Sequence, residues 1–406
     1  MRPPTTLLSG LTVVEWGNYV SAPYCGRLLA QLGARVYKVE PPSGDEARAY
    51  GPFPGDLPDP ECSGLFLYLN AGKVGVTLDV TQTTGKDLLF RLLSKADVFV
   101  TNWPLTFRRR LGLDYETLHE RFPELIVVSV TIFGDTGPRS EDTAYSIDAD
   151  AVSGACWAIG DPEREPLILP CSQAEFQAGA HAAAATIAAV LARDRGYGGQ
   201  HVDIAASDVL ATYVGTNSLI FIFHGLKWAR AGRRAFGSGG PYPYVILPCK
   251  DGLVVLICRA RHEWERLVRA MGQPEWASNP RYQDLIRMGR DYPEEVDALI
   301  MPWLSRHTRA ELLHIAAEYN FPIGPVHRMT EVVNHPHLRE RGFFVEQPHP
   351  LLGSVRVPGL PYRFDETFPS HPGPAPRLGE HNELVFCDEL GLSRGELVQL
   401  RRAGVI

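Results

Sequence analysis

A chain of 406 residues is long for one hydrophobic core, so two domains are expected. A hydrophobic content of 45% with 21% charged residues is that of an ordinary globular protein, and a formal net charge of -7 argues against a nucleic-acid or anionic-membrane surface. Seven scattered cysteines without a CxxC or a Cys/His cluster argue against a zinc site and a disulfide framework. The opening MRPP does not read as a signal peptide, and no apolar run reaches membrane-span length. The expected location is the cytoplasm.

Residues 11–16 (LTVVEW) read as a short apolar strand. Ser21 can cap the following helix, Pro23 suits its first turn and Gly33 its end. Residues 35–40 (RVYKVE) read as a second strand, so residues 11–40 make a βαβ unit and imply a parallel sheet. More strands are expected at 74–80, 97–102 and 125–132, with helices at 84–95 and 115–121. The result is a doubly wound α/β domain, whose ligands sit at the carboxyl ends of the strands. GNYVSAP follows the first strand where a nicotinamide-dinucleotide fold would carry GxGxxG, which argues against that cofactor. Lys38, Arg48, Asn70, Lys73, Asn102 and Arg108 to Arg110 lie near predicted strand ends. Each alone reads as solvated surface, but together they can hold a ligand rich in phosphate.

Residues 166–209 are the stretch around which the chain is organised. Residues 174–194 read as a helix, because Ala, Leu, Arg and Gln favour it and no proline interrupts. Its small residues (Ala178, Gly179, Ala182, Ala183, Ala185) let neighbours approach closely. Glu175 stands at its entrance, and two readings stay open. Ser172-x-x-Glu175 spells a capping box. Alternatively, a carboxylate beside backbone amides and the positive end of the helix dipole is expected to stay ionised and to be competent as a nucleophile. His181, on the same helix, reads as a packing or satisfied polar group.

Residues 201–206 read as another strand and 207–228 as a helical segment leaving the first domain. Residues 230–240 (RAGRRAFGSGG) are basic and glycine-rich, the composition of a linker or of a mobile active-site loop. Strands at 244–249 and 253–258 flank the turn Lys250-Asp251-Gly252 and open a second, smaller α+β unit. Helices follow at 262–271, 293–305 and 309–319. FPIGP at 321–325 breaks the pattern, the return is proline-rich, and a polar helix at 394–402 closes the chain. Trp157 to Ile159 and residues 216–224 are apolar enough either to touch an acyl chain or to fill ordinary core.

An ordered set of segments resembles a known family. LSGLTVVEWGNYVSAPYCGRLLAQLGARVYKVEPPSGDEAR, NAGKVGVTLDV, ADVFVTNWPLTFRRRLGLDYETL, SVTIFGDTGP, RDRGYGGQHVDIAASDV, GGPYPYVILPCKDG, FPIGPVHRMTEVVNHPHLRERGFF and PRLGEHNELVFCDELGLSRGELVQLRRAGVI are together similar to the family III CoA-transferases, the CaiB/BaiF family. The resemblance implies a doubly wound α/β large domain from residues 1–225 and 330–406, and a small domain from 226–329. It implies two chains interlocked like linked rings, as a homodimer or with a homologous subunit. The substrates would be an acyl-CoA and a carboxylic acid. Coenzyme A would be a substrate, with no permanently bound cofactor and no metal.

The family's nucleophile is an Asp four residues before a glycine, and that position here is Glu175 before Gly179. Some members that pair with a second subunit are similar in lacking the Asp, so a non-catalytic coenzyme-binding subunit is the alternative. Racemases of 2-methylacyl-CoA share the scaffold, but their acid/base histidine falls at Tyr145 and their Asp at Glu175, which argues against that activity. The family's acceptor-site glutamine falls at Val20. The candidate coenzyme-binding set is Val20, Lys38, Arg48, Lys73, Asn102, Arg110, Leu111 and Tyr145, with a lid at Gly237, Ser238, Gly239 and Gly240.

Overall fold

The computed structural model describes residues 6–227, 230–234, 240–364 and 373–406. It divides into two compact units, Met1–Ser153 with Leu169–Tyr213 and Pro336–Ile406, and Gly154–Ile168 with Val214–His335. Gly154–Ile168, read from the sequence as part of the large domain, therefore groups with the second unit.

The first unit is built on a six-stranded sheet: β1 Thr12–Trp16, β2 Arg35–Glu40, β3 Val74–Thr77, β4 Val98–Thr101, β5 Ile126–Thr131 and β6 His201–Ala205. All neighbours are parallel, in the order β3-β2-β1-β4-β5-β6. The strands are runs such as IVVSVT because both faces of a parallel sheet are covered, and little of them meets water. Helix Gln173–Ala192 and helix Ser21–Gln31 pack against each other. At Gly179 the approach leaves no room for a side chain. A Cβ on Gly179 would lie 2.5 Å from the Ser21 carbonyl oxygen and 3.1 Å from Tyr24 Cβ.

The C-terminal segment belongs to the same unit because it covers the β3 edge. The Gly75 and Thr77 amides donate to His381 Nδ1 (3.1 Å) and Asn382 Oδ1 (2.9 Å), and the His381 amide donates to the Gly75 carbonyl at 3.0 Å. An edge so covered no longer offers its backbone to another strand. Leu397, Val405 and Ile406 complete the core around Val14, Val39 and Phe99.

Two local expectations differ from the structure. The helical segment at 207–228 is broken into Ala206–Tyr213 and Gly215–His224. On the second helix Leu219, Phe221, Ile222 and Phe223 are 53–76% exposed, so they do not fill core in this chain. Residues Phe344–His349 and Gly353–Pro358 form an antiparallel hairpin inside the stretch that the prolines made look irregular. A two-stranded ribbon consists of edge strands, which tolerate Pro348 and Pro358 because an edge need not donate every amide.

The second unit carries an antiparallel sheet of Tyr244–Cys249, Gly252–Ile257 and Ile323–Pro325. Its core gathers Trp264, Leu267, Met288, Ile300 and Leu312. In the basic segment that precedes it, Arg233 and Arg234 both bind Asp297 (2.5 and 2.7 Å). Gly237, Ser238 and Gly239 of the expected lid lie outside the described residues; Gly240 is half-buried beside Gly289. Among the described residues no single helix is long and apolar enough to cross a membrane, and no group of His, Cys, Asp or Glu could hold a metal ion.

Candidate active site

The strand order reverses between β1 and β4, the place where open α/β sheets bind ligands. Asn18, just after β1, and Asn102, just after β4, lock together there. The Asn18 amide donates to Asn102 Oδ1 at 2.8 Å, and Asn102 Nδ2 donates to the Asn18 carbonyl (2.7 Å) and to Ser21 Oγ (2.9 Å). Asn102 is thus committed to holding two loops in register.

A cleft of about 530 Å³ opens at this point. Tyr19 and Ser21 line it from the loop after β1, Glu46 and Tyr50 from beyond β2, and Trp103 from the loop after β4. Phe133, Arg139, Asp142 and Tyr145 come from beyond β5, and Ser172 and Glu175 from the entrance of the central helix. The backbone is strained on both sides of Glu175: Tyr19 (φ 62°), Cys171 (φ 59°) and Ser172 (φ 50°) are left-handed without being glycine. Such residues cost about 1–3 kcal/mol each and gather at functional sites.

The capping-box reading of Glu175 is overturned. Ser172 itself is left-handed and makes no side-chain cap; its Oγ lies 3.2 Å from the Tyr19 hydroxyl. The Glu175 amide donates instead to the Ser172 carbonyl at 3.0 Å. The Glu175 carboxyl has no hydrogen-bond or ion-pair partner among the described residues and is only 9% exposed. The expectation that it stays ionised is also corrected. Burial first, and the negative charge of Glu46 second, push its pKa up to about 7.

The cations expected along a coenzyme have other work. Lys38, with no exposed surface, donates to Glu15 Oε1 (3.0 Å) and the Gly17 carbonyl (2.8 Å), and pairs with Asp45. Lys73, also buried, donates to Glu15 Oε2 (2.6 Å), the Pro23 carbonyl (2.8 Å) and Asn70 Oδ1 (2.9 Å). Arg48 clamps Glu40 through Nε (2.6 Å) and Nη2 (2.9 Å) and reaches Glu61 at 3.1 Å. Placing these three on a solvated, phosphate-holding edge is therefore corrected: their charges are spent inside the fold. Lys38 still shapes the cleft, because the Asp45 carboxylate that it holds accepts the Tyr19 amide at 3.0 Å.

Val20 is buried in the turn before helix Ser21–Gln31 and does not line the cleft. Leu111 packs on the core, whereas Arg110 is exposed, 5.2 Å from the Phe107 ring centre. Tyr145 is 71% exposed and does line the cleft. His181 lies 3.1 Å from the Tyr213 hydroxyl, a satisfied polar group.

Sequence reasoning missed Glu46, Trp103, Arg139 and Asp142. Their one signal was position, each lying beyond the carboxyl end of a predicted strand; which of many loop residues faces the cleft depends on the path of the loop. Trp103 Nε1, Thr131 Oγ1 and Ser146 Oγ are buried on cleft-lining residues and have no hydrogen-bond partner. Buried polar atoms are rarely left so.

Gly179→Ala tests the close approach that seats Glu175. The added methyl would press on the Ser21 carbonyl, one helical turn from Glu175. The expected result in denaturant unfolding is a loss of about 1–3 kcal/mol. Turnover should also fall roughly 10–100-fold as the carboxyl shifts.

Residues 8–382 match the family model of CoA-transferase family III. The chain is 31% identical over its whole length to succinyl-CoA–D-citramalate CoA-transferase of Chloroflexus aurantiacus, covering 99% of that protein. It is 32% identical to the succinyl-CoA:(R)-benzylsuccinate CoA-transferase subunit BbsE of Thauera aromatica, over 95% of this chain and 94% of that one. Among solved structures, a CaiB/BaiF family protein from Brucella suis superposes with a TM-score of 0.83 at 28% identity, covering 94% of this chain and 99% of the other. The parallel sheet, the cleft at its switch point and the match across nearly all of the sequence agree: the chain belongs to CoA-transferase family III.

Proposed function

We propose that this CoA-transferase moves coenzyme A from an acyl-CoA thioester to a free carboxylic acid through Glu175. The observation that carries the reading is a buried carboxyl without a partner, lining a cleft of ligand size at the switch point of the sheet. The ionised Glu175 attacks the thioester carbonyl. A C–O bond forms, the C–S bond breaks, and coenzyme A leaves as thiolate from a mixed anhydride. The thiolate then attacks the Glu175 carbonyl carbon, releasing the donor acid and leaving a glutamyl thioester. The acceptor carboxylate displaces the thiolate to form a second anhydride. Attack of the thiolate on the acceptor's acyl carbon gives the new acyl-CoA and returns Glu175 to its carboxylate. Trp103 Nε1 and the hydroxyls of Thr131 and Ser146 are the donors nearest in kind to what a developing oxyanion requires.

A pKa near the working pH suits a nucleophile, which must be ionised in a useful fraction yet remain basic. Because only the ionised form attacks, kcat/KM is expected to rise with pH along a limb centred near about 7 and to level off above it. A profile flat between about pH 5.5 and 8.5 would remove Glu175 from the rate-controlling step. The decisive experiment traps the intermediate. The full chain, turning over an acyl-CoA, is treated with hydroxylamine or borohydride, and the peptide holding Glu175 is weighed. A mass change there supports the reading; active enzyme with an unchanged peptide ends it.

The likeness to a protein named as a subunit favours a second reading, in which this chain binds coenzyme A and a homologous partner supplies the nucleophile. The chain expressed alone would then be inactive and would gain activity only with that partner.

A further inference from the structure

The cleft carries an unbalanced charge. Three carboxylates line it, Glu46, Asp142 and Glu175, against one cation among its described lining residues, Arg139. That cation is already paired: Arg139 Nε donates to Asp142 Oδ2 at 2.8 Å, and its guanidinium lies 3.7 Å from the Phe133 ring centre. Glu46 is fixed in the same wall by Asn18 Nδ2 (3.1 Å) and the Tyr50 hydroxyl (3.3 Å). The uncharged part of the wall mixes small polar and aliphatic residues with aromatic side chains, Tyr19, Tyr50, Trp103 and Tyr145 among them. No unpaired cation stands among the described lining residues.

We infer that the site selects acyl groups that are uncharged and apolar or aromatic, and that Glu46 and Asp142 act as specificity-determining residues by repelling dicarboxylates. The inference rests on the transferase reading for its chemistry, but not for its physical cause. A distal carboxylate would enter a cleft that already holds like charges and would lose its water without gaining a partner. An aromatic group would exchange water for ring faces.

The test separates binding from turnover. Two inert thioethers, S-(3-phenylpropyl)-CoA and S-(3-carboxypropyl)-CoA, are titrated calorimetrically into the full chain. The phenyl compound is expected to bind at least about tenfold tighter. In the Glu46→Gln, Asp142→Asn double variant the gap should narrow by at least about threefold, through tighter binding of the carboxyl compound. Both substituted side chains are at the surface, so the fold should tolerate the change. Equal or tighter binding of the carboxyl compound by the parent chain, or a gap that the double variant leaves intact, overturns the inference. Transfer from phenylacetyl-CoA and succinyl-CoA is measured alongside. The expected binding preference without any transfer upholds the inference and sinks the catalytic reading. Faster transfer from succinyl-CoA, with matching binding, does the reverse.

Discussion

Glu175→Gln is expected to lower kcat for CoA transfer by at least about 10³-fold, because removing a nucleophile removes the covalent route itself. The same substitution is expected to make the protein more stable at pH 8. The sign follows from the raised pKa. Between the ordinary carboxyl value of 4.5 and about 7 the folded chain keeps a proton that the unfolded chain has lost. Stability therefore falls as pH rises through that window, and above it the fold carries the full cost of a buried, unpaired charge. Gln keeps the shape and cannot ionise, so at pH 8 it should gain about 1–3 kcal/mol in denaturant unfolding, and near pH 4 almost nothing. A merely structural Glu175, folded onto its own helix, would give the opposite result on both counts. Glutamine would leave turnover untouched, and stability would drop with the lost hydrogen bonds.

Glu15→Ala should be the most damaging single change to the fold, at about 3–5 kcal/mol. Glu15 is fully buried between the ammonium groups of Lys38 and Lys73, at 3.0 and 2.6 Å. Burial alone would raise its pKa, but the two neighbouring cations outweigh this and hold it below the usual carboxyl range. Removing it strands Lys73 without a carboxylate and leaves Lys38 with Asp45 alone. The cost of an unmade buried pair exceeds what the pair contributes when intact. Because Asp45 also holds the Tyr19 amide, the substitution should loosen the cleft wall and raise KM as well. Glu61→Ala is the matching control. Its partner Arg48 keeps the two-point clamp on Glu40, and Glu61 is part-exposed, so the expected loss is only about 0–1 kcal/mol. Urea unfolding of the three proteins at pH 7 checks the ranking, and equal losses for Glu15→Ala and Glu61→Ala would refute it.

The six strands and the helices at 115–121, 309–319 and 394–402 were legible because their signals are local. Runs such as RVYKVE and IVVSVT state their burial by composition, and caps, glycines and prolines mark where helices start and stop. The hairpin at 344–358 was not legible, since proline reads as a breaker unless the strand is known to be an edge. The break at Val214 carries no proline, and Gly215 beside it is a weaker signal that a helix can absorb.

The site divides in the same way. By itself the sequence determined the sheet, the helix that presents Glu175, and the kinship that made a carboxyl at that position worth attention. Only the tertiary structure decided what each charge does. In the sequence Lys38, Arg48 and Lys73 are simply cations near strand ends, and a strand end has two sides, one facing a ligand and one facing buried acids from β1 and β2. The pairings Lys38–Glu15 and Arg48–Glu40 join residues 23 and 8 positions apart in the chain. The contact that relieves Ser172 of its capping role comes from Tyr19, 153 positions away. A charged side chain takes its energy from whatever lies within a few ångströms, and the fold, not the local sequence, brings those neighbours together.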